Sequence, residues 1–183
     1  MDFSRRSWIL GTLGSVPWAA IAAAQKHAEN AVAHGIGGAD FEFFEAAEAG
    51  EVAAIAAQIL PSGDGPGAAE AGVVFFIDRA LKTFDVDKAQ LYRGGLAELQ
   101  RTRERMFPAS ASMARLSNEQ QIELVRAIDK SEFFELVRTH TLLGFLANPS
   151  YGGNRDSVGW KHIGFENRMM WSPPFGYYDA ETT

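Results

Sequence analysis

Between Asp40 and Leu146 the apolar residues of this chain recur every three or four positions, and proline or glycine cuts each run before it grows long. That spacing lets several short helices each bury one face, and it offers no apolar/polar alternation from which to build strands. Phe41, Phe44, Val52, Ile55 and Ile59 fall near one face of a first helix, Glu42, Glu45, Glu48 and Glu51 on the others, and Asp40 is placed to cap it. Pro61 stops it. The loop 61–67 holds two prolines and three glycines and continues no regular element. Val73, Ile77, Ala80, Leu81 and Phe84 then form the buried stripe of a second helix, with Asp78 and Arg79 alongside.

A third helix is expected from Ala89 to Met106, with Leu91, Leu96 and Leu99 apolar and Gly94-Gly95 as its weak point; Pro108 ends it. Ser117 and Gln120 have the spacing of a capping box, with Ile122, Val125 and Ile128 following as core. Ser131 caps a fifth helix whose Phe133, Phe134, Leu136, Val137, Leu142, Leu143 and Leu146 make it apolar on more than one side, so that helix should be central. Asn148-Pro149 terminates it. The expectation is an all-α fold: one compact helical domain, 40–183, of about five helices, closed by an irregular C-terminal segment rich in glycine and aromatic residues.

Ahead of that domain, Ser4-Arg5-Arg6-Ser7-Trp8 leads into an apolar stretch and then Ala22-Ala23-Ala24. Charge, apolar run and small residues stand in the order of a twin-arginine signal peptide, 1–24, cleaved after Ala24. The run from Trp8 to Ala24 is shorter than the roughly 20 residues that span a bilayer, which argues against a retained anchor. Residues 25–39 read as a flexible leader. The expected destination is the periplasm by the twin-arginine route, with any membrane association made through a complex.

No cysteine occurs in the 183 residues. Disulfides, thiolate zinc sites, cysteine-ligated iron–sulfur clusters, CxxCH haem attachment and cysteine nucleophiles are thereby excluded. The net charge of −6, with no basic run, argues against nucleic acid as a partner. No GxGxxG turn joins a strand to a helix, and Gly63, Gly65 and Gly67 have the wrong spacing for a phosphate cradle. Ser157 lies outside any GxSxG elbow. His140 and His162 could converge with Asp156 or Glu135 as an acid–base or metal site, yet no HxxxH or HExxH spacing supports this. No catalytic, cofactor-binding or metal residue is assigned; a stand-alone enzyme or binding module using the His140, Asp156 and His162 region is the alternative.

The stretch from Tyr151 to Phe165 is the unusual one. Gly152, Gly153, Asn154, Arg155, Asp156, Gly159, Trp160 and Lys161 combine backbone freedom, charge and aromatic surface outside the helical pattern. Such residues either turn the chain internally or anchor a partner, and the two readings weigh evenly at this point. The tail beyond, with Trp171, Pro173, Pro174, Phe175, Tyr177 and Tyr178, adds further apolar surface.

Three blocks carry a resemblance to a known family. They are Ile59-Leu60-Pro61 with Glu70–Leu81; Phe133-Phe134-Glu135-Leu136-Val137-Arg138-Thr139-His140-Thr141 with Gly144-Phe145; and Tyr151–Lys161 with Ile163-Gly164-Phe165. In this order, behind a twin-arginine leader, the chain resembles the gluconate 2-dehydrogenase subunit 3 family. The resemblance implies a small subunit without an active site of its own, joined to a large FAD-dependent subunit of the glucose-methanol-choline type that oxidises a sugar, sugar acid, glycoside or polyol. It further implies a cytochrome c or other electron acceptor, and export of the signal-less flavoprotein on the small subunit's leader. FAD is expected in the partner and no cofactor in this chain. Arg138, His140 and the Tyr151–Lys161 block with Phe165 are then the candidate partner interface.

Overall fold

The computed structural model describes residues 41–168 and 170. Asp40, the leader with Arg5 and Arg6, and the aromatic tail from Trp171 lie outside the described residues. Within them the chain forms six α-helices and no strand: α1 Ala46–Ile59, α2 Val73–Lys82, α3 Ala89–Met106, α4 Asn118–Ile128, α5 Glu132–Leu146 and α6 Val158–His162. Short 3-10 turns occupy Val86–Lys88, Met113–Arg115, Pro149–Tyr151 and Arg155–Ser157.

The first helix starts later than the spacing predicts. The amides of Glu42, Phe43 and Phe44 are taken by the carboxylate of Asp78 on α2, at 2.8, 3.0 and 2.9 Å, which holds 42–44 in a turn. Helix α1 therefore opens only after Glu45, whose amide donates to the Glu48 carboxylate at 3.0 Å. Asp78 is 4% exposed, a buried anion satisfied by three donors rather than a residue of the polar face.

Helix α3 runs unbroken through Gly94-Gly95. Gly94 faces open space, but the ring of Phe133 occupies the place where a side chain on Gly95 would stand. The glycine pair weakens the helix locally while letting α5 approach it closely, and that packing outweighs the propensity cost of about 1 kcal/mol per glycine. Both serine caps form as read from the sequence. The Ser117 hydroxyl accepts from the Gln120 amide while the Gln120 side chain accepts from the Ser117 amide, and the Ser131 hydroxyl accepts from the Phe134 amide.

Helix α5 is central, in contact with α1, α2, α3 and α6. Its Phe133, Val137 and Phe145 meet Val52 and Ile55 of α1, Val73 and Ile77 of α2, and Tyr92, Leu96 and Leu99 of α3 in one core, to which α4 adds Leu124 and Ile128. Ile122 is exposed, and Leu124 takes the core position expected of it. Phe84 lies beyond the end of α2 and is half exposed. Leu142, Leu143 and Leu146, which make α5 apolar on a second side, all face solvent. No described helix is long and apolar enough to cross a membrane.

Candidate functional site

The C-terminal half of α5 turns one side to the core and the other outward. Thr141 and Phe145 are buried, while Leu142, Leu143 and Leu146 stand on the opposite side, Leu143 at 51% exposure. Phe84, just past α2, and Tyr151, just past α5, close in from either flank, with ring centroids 6.2 Å apart edge to face. Phe76 of α2 forms the floor beneath Phe84, at 6.0 Å. Together with Ala147 and Asn148 these residues line an open groove of about 630 Å³, apolar apart from Asn148 and the Tyr151 hydroxyl. Five large apolar side chains left 42–53% exposed at one place form the kind of patch that proteins use to bind.

The block that follows divides residue by residue: Gly153, Asn154 and Gly159 are buried, Gly152, Ser157, Val158 and Trp160 are half-buried, and the remainder are exposed. Gly152 has φ of 101°, and a side chain there would meet the Phe75 carbonyl oxygen at 3.1 Å. Gly153 lies against the backbone of Gly144, so the chain passes directly over α5. Asn154 is fully buried in the left-handed region, φ 45°. Its Nδ2 donates to the Ala147 carbonyl at 2.9 Å and its Oδ1 accepts from the Gly159 amide at 2.8 Å, tying the end of α5 to α6. The Arg155 amide donates to the Ala71 carbonyl at 3.1 Å, and its guanidinium lies 3.8 Å from the centroid of the Phe75 ring.

Outward from this knot, Asp156 and Lys161 are exposed, and Asp156 and Ser157 both hold positive φ. Such conformations cost on the order of 1–3 kcal/mol each and persist only where the surroundings impose them. The Trp160 indole donates to the Leu146 carbonyl at 2.7 Å, and its ring meets Phe165 at 5.1 Å. Tyr151, Trp160 and Phe165 thus stand around the outer end of α5. Arg138 sits earlier on that helix, exposed, with its guanidinium 2.6 Å from Glu135; a solvated pair at that spacing contributes little to stability.

His140 belongs to a different environment. It is 2% exposed, with Nδ1 at 2.9 Å from the Tyr92 hydroxyl and Nε2 at 3.2 Å from the Asp85 carboxylate. Its ring stacks on Tyr92 and meets Phe76 edge on. Burial lowers the imidazole's affinity for a proton, against the opposing pull of Asp85, and burial pushes the Tyr92 phenol well above its usual range. An Asp–His–Tyr chain of this kind has the connectivity of a catalytic relay, but its terminal residue, Tyr92, is fully buried and is not among the residues that line the groove on α5. The chain staples the 84–88 segment and α3 to α5. His162 lies elsewhere, against Phe145 and Gly65, and neither it nor Asp156 is among the partners of His140. His140 accordingly stands behind the candidate interface rather than on it.

Among the described residues no group of three or more His, Asp and Glu is placed to hold a metal. In the 61–67 loop a side chain on Gly67 would meet the backbone at Leu60 and Pro61, and the His162 ring fills the space beside Gly65. Sequence spacing did not reveal the groove, although one signal pointed to it: α5 carries more apolar surface than a single core-facing stripe requires. A family model described as gluconate 2-dehydrogenase subunit 3 matches residues 46–166, from the first residue of α1 to just beyond α6. No curated protein and no solved structure matches the chain.

Proposed function

Since the chain belongs to the gluconate 2-dehydrogenase subunit 3 family, we propose that it is the non-catalytic small subunit of a periplasmic FAD-dependent dehydrogenase of the glucose-methanol-choline type, acting on a sugar, glycoside or polyol. The observation that carries this reading is the apolar groove on α5 within the family-matched region, beside a relay whose hydroxyl is sealed from solvent. A surface of that kind suits a protein partner. The flavin belongs on the large subunit, which passes electrons to a cytochrome c or another acceptor.

The twin-arginine leader extends the proposal from assembly to export. That route carries folded proteins, and a signal-less flavoprotein already loaded with FAD would travel on this subunit's leader. Replacing Arg5 and Arg6 together by lysine should strand both proteins in the cytoplasm. Flavoprotein reaching the periplasm unaided would overturn the carrier role. Copurification of mature subunit with a protein showing a flavin absorbance spectrum tests the complex itself.

A further inference from the structure

His140 lies behind the groove, yet both the wall and the floor of the groove lead back to its ring. Phe84 is separated from the last residue of α2 by Thr83 alone, and Asp85 directly after it places its carboxylate 3.2 Å from His140 Nε2. The Asp85 amide also donates to the Ala80 carbonyl at 2.8 Å. Phe84 is thus carried on a two-residue link held by α2 at one end and by the imidazole at the other. Phe76, the floor, meets the His140 ring edge on with centroids 6.4 Å apart. One turn further along α5, Gly144 makes room for it, since a side chain there would come within 3.0 Å of the Phe76 ring.

The imidazole has two arrangements. Neutral, with its proton on Nε2 facing Asp85, it accepts from the Tyr92 phenol at Nδ1. A proton taken from solvent onto Nδ1 turns that nitrogen into a donor, so the phenol can only accept and its own proton loses the nitrogen it was given to. The same proton strengthens the pull on Asp85. One contact is broken and the other tightened, which moves the ring from α3 towards the residue that carries Phe84. Asp85 keeps 29% of its side chain exposed, so the pair is within reach of water. Burial and the Lys88 ammonium both oppose the charged ring, while Asp85 favours it, and the balance keeps it neutral until pH falls below its ordinary value. Among the described residues no charged group of α1, α2 or α6 acts on it.

We propose that the Asp85–His140–Tyr92 chain is a proton-sensitive support for the groove: the neutral ring holds the Phe84 wall and Phe76 floor in place, and protonation displaces them. His140 is then a positioning residue for docking. That the displaced groove holds the large subunit less well rests on the functional reading above. The displacement itself takes place within this chain and is tested without a partner, whereas copurification tests the flavoprotein reading.

The leucine methyl groups of the full chain, labelled with carbon-13, are followed by NMR between about pH 7.5 and about pH 5. Ring currents from Phe84 and Tyr151 make the methyls of Leu142, Leu143 and Leu146 reporters of the groove. They should shift together, with one midpoint shared with the His140 ring protons, while those of Leu124 in the core stay still. His140→Gln should abolish the shift, and His162→Gln should leave it intact. Tyr92→Phe keeps the imidazole but removes the donor that favours its neutral form, so the midpoint should rise. Groove methyls that stay still while His140 titrates would overturn the proposal. So would a profile that survives His140→Gln, one that follows His162, or a midpoint unmoved by Tyr92→Phe.

Discussion

The Tyr92 hydroxyl lies 2.9 Å from His140 Nδ1, while the other ring nitrogen of His140 lies 3.2 Å from the Asp85 carboxylate. With its proton on Nε2, facing the carboxylate, the neutral ring leaves Nδ1 to accept from the phenol. Tyr92→Phe removes that donor and strands a buried nitrogen. The expected loss is about 1–3 kcal/mol, read as a lower urea midpoint at unchanged slope.

The same ring makes stability depend on pH. Burial holds the folded-state value of His140 below its ordinary 6.5, so as pH falls through that value the unfolded chain takes up the proton first. The stabilisation is present above the ordinary value and is lost below it. Melting temperature should fall between about pH 7.5 and about pH 5.5, and His140→Gln should flatten the decline. Glu51 acts in the opposite sense, because burial raises its carboxyl and the folded chain takes up that proton first. A slope unaltered in His140→Gln would remove His140 as the source.

Asp78 holds three backbone amides with one side chain. Asp78→Ala should cost about 2–4 kcal/mol, since each amide left without a partner costs roughly 1–3 and those nearest the surface recover water. Urea denaturation measures the loss, and hydrogen exchange should localise it to 42–44.

Adjacent glycines on α3 should respond with opposite signs. Gly94→Ala meets open space and should stabilise by about 1 kcal/mol through helix propensity. Gly95→Ala drives a methyl group into the Phe133 ring and should destabilise by about 1–3 kcal/mol. Thermal melts of the two variants should therefore shift in opposite directions.

Leu143→Asp places a charge in the groove at an exposed position. Circular dichroism and melting temperature should stay close to those of the parent, while recovery of the flavoprotein with this subunit drops at least tenfold. Full recovery would move the docking surface away from α5.

Local signals in the sequence were the ones the structure kept. Ser117 with Gln120, Ser131, and the proline and glycine stops mark helix ends through contacts a few residues apart, and each can be read from spacing alone. Relationships across the chain were not legible. Asp78 looks like an ordinary polar-face residue until residues 42–44 fold back onto it, more than 30 positions away. Asp85, Tyr92 and His140 come together from three separate elements, and no periodicity links them. Leu142, Leu143 and Leu146 have the apolar character of core residues, and only the placement of α2 and Tyr151 leaves them outside. The Tyr151–Phe165 block was open to two readings because its composition mixes two environments: Gly153, Asn154 and Gly159 are buried, while Tyr151, Asp156, Lys161 and Phe165 face out.

Helix α6 has five residues, too few to persist in water on its own. One carboxamide, that of Asn154, joins its first turn to the last turn of α5. Order at this end of the molecule is borrowed from α5 through that carboxamide and the Trp160 indole on the Leu146 carbonyl, so residues 152–165 are set to open as one cooperative unit rather than fray residue by residue. The amide of Gly159 should report that opening in hydrogen exchange, at a free energy below that of global unfolding.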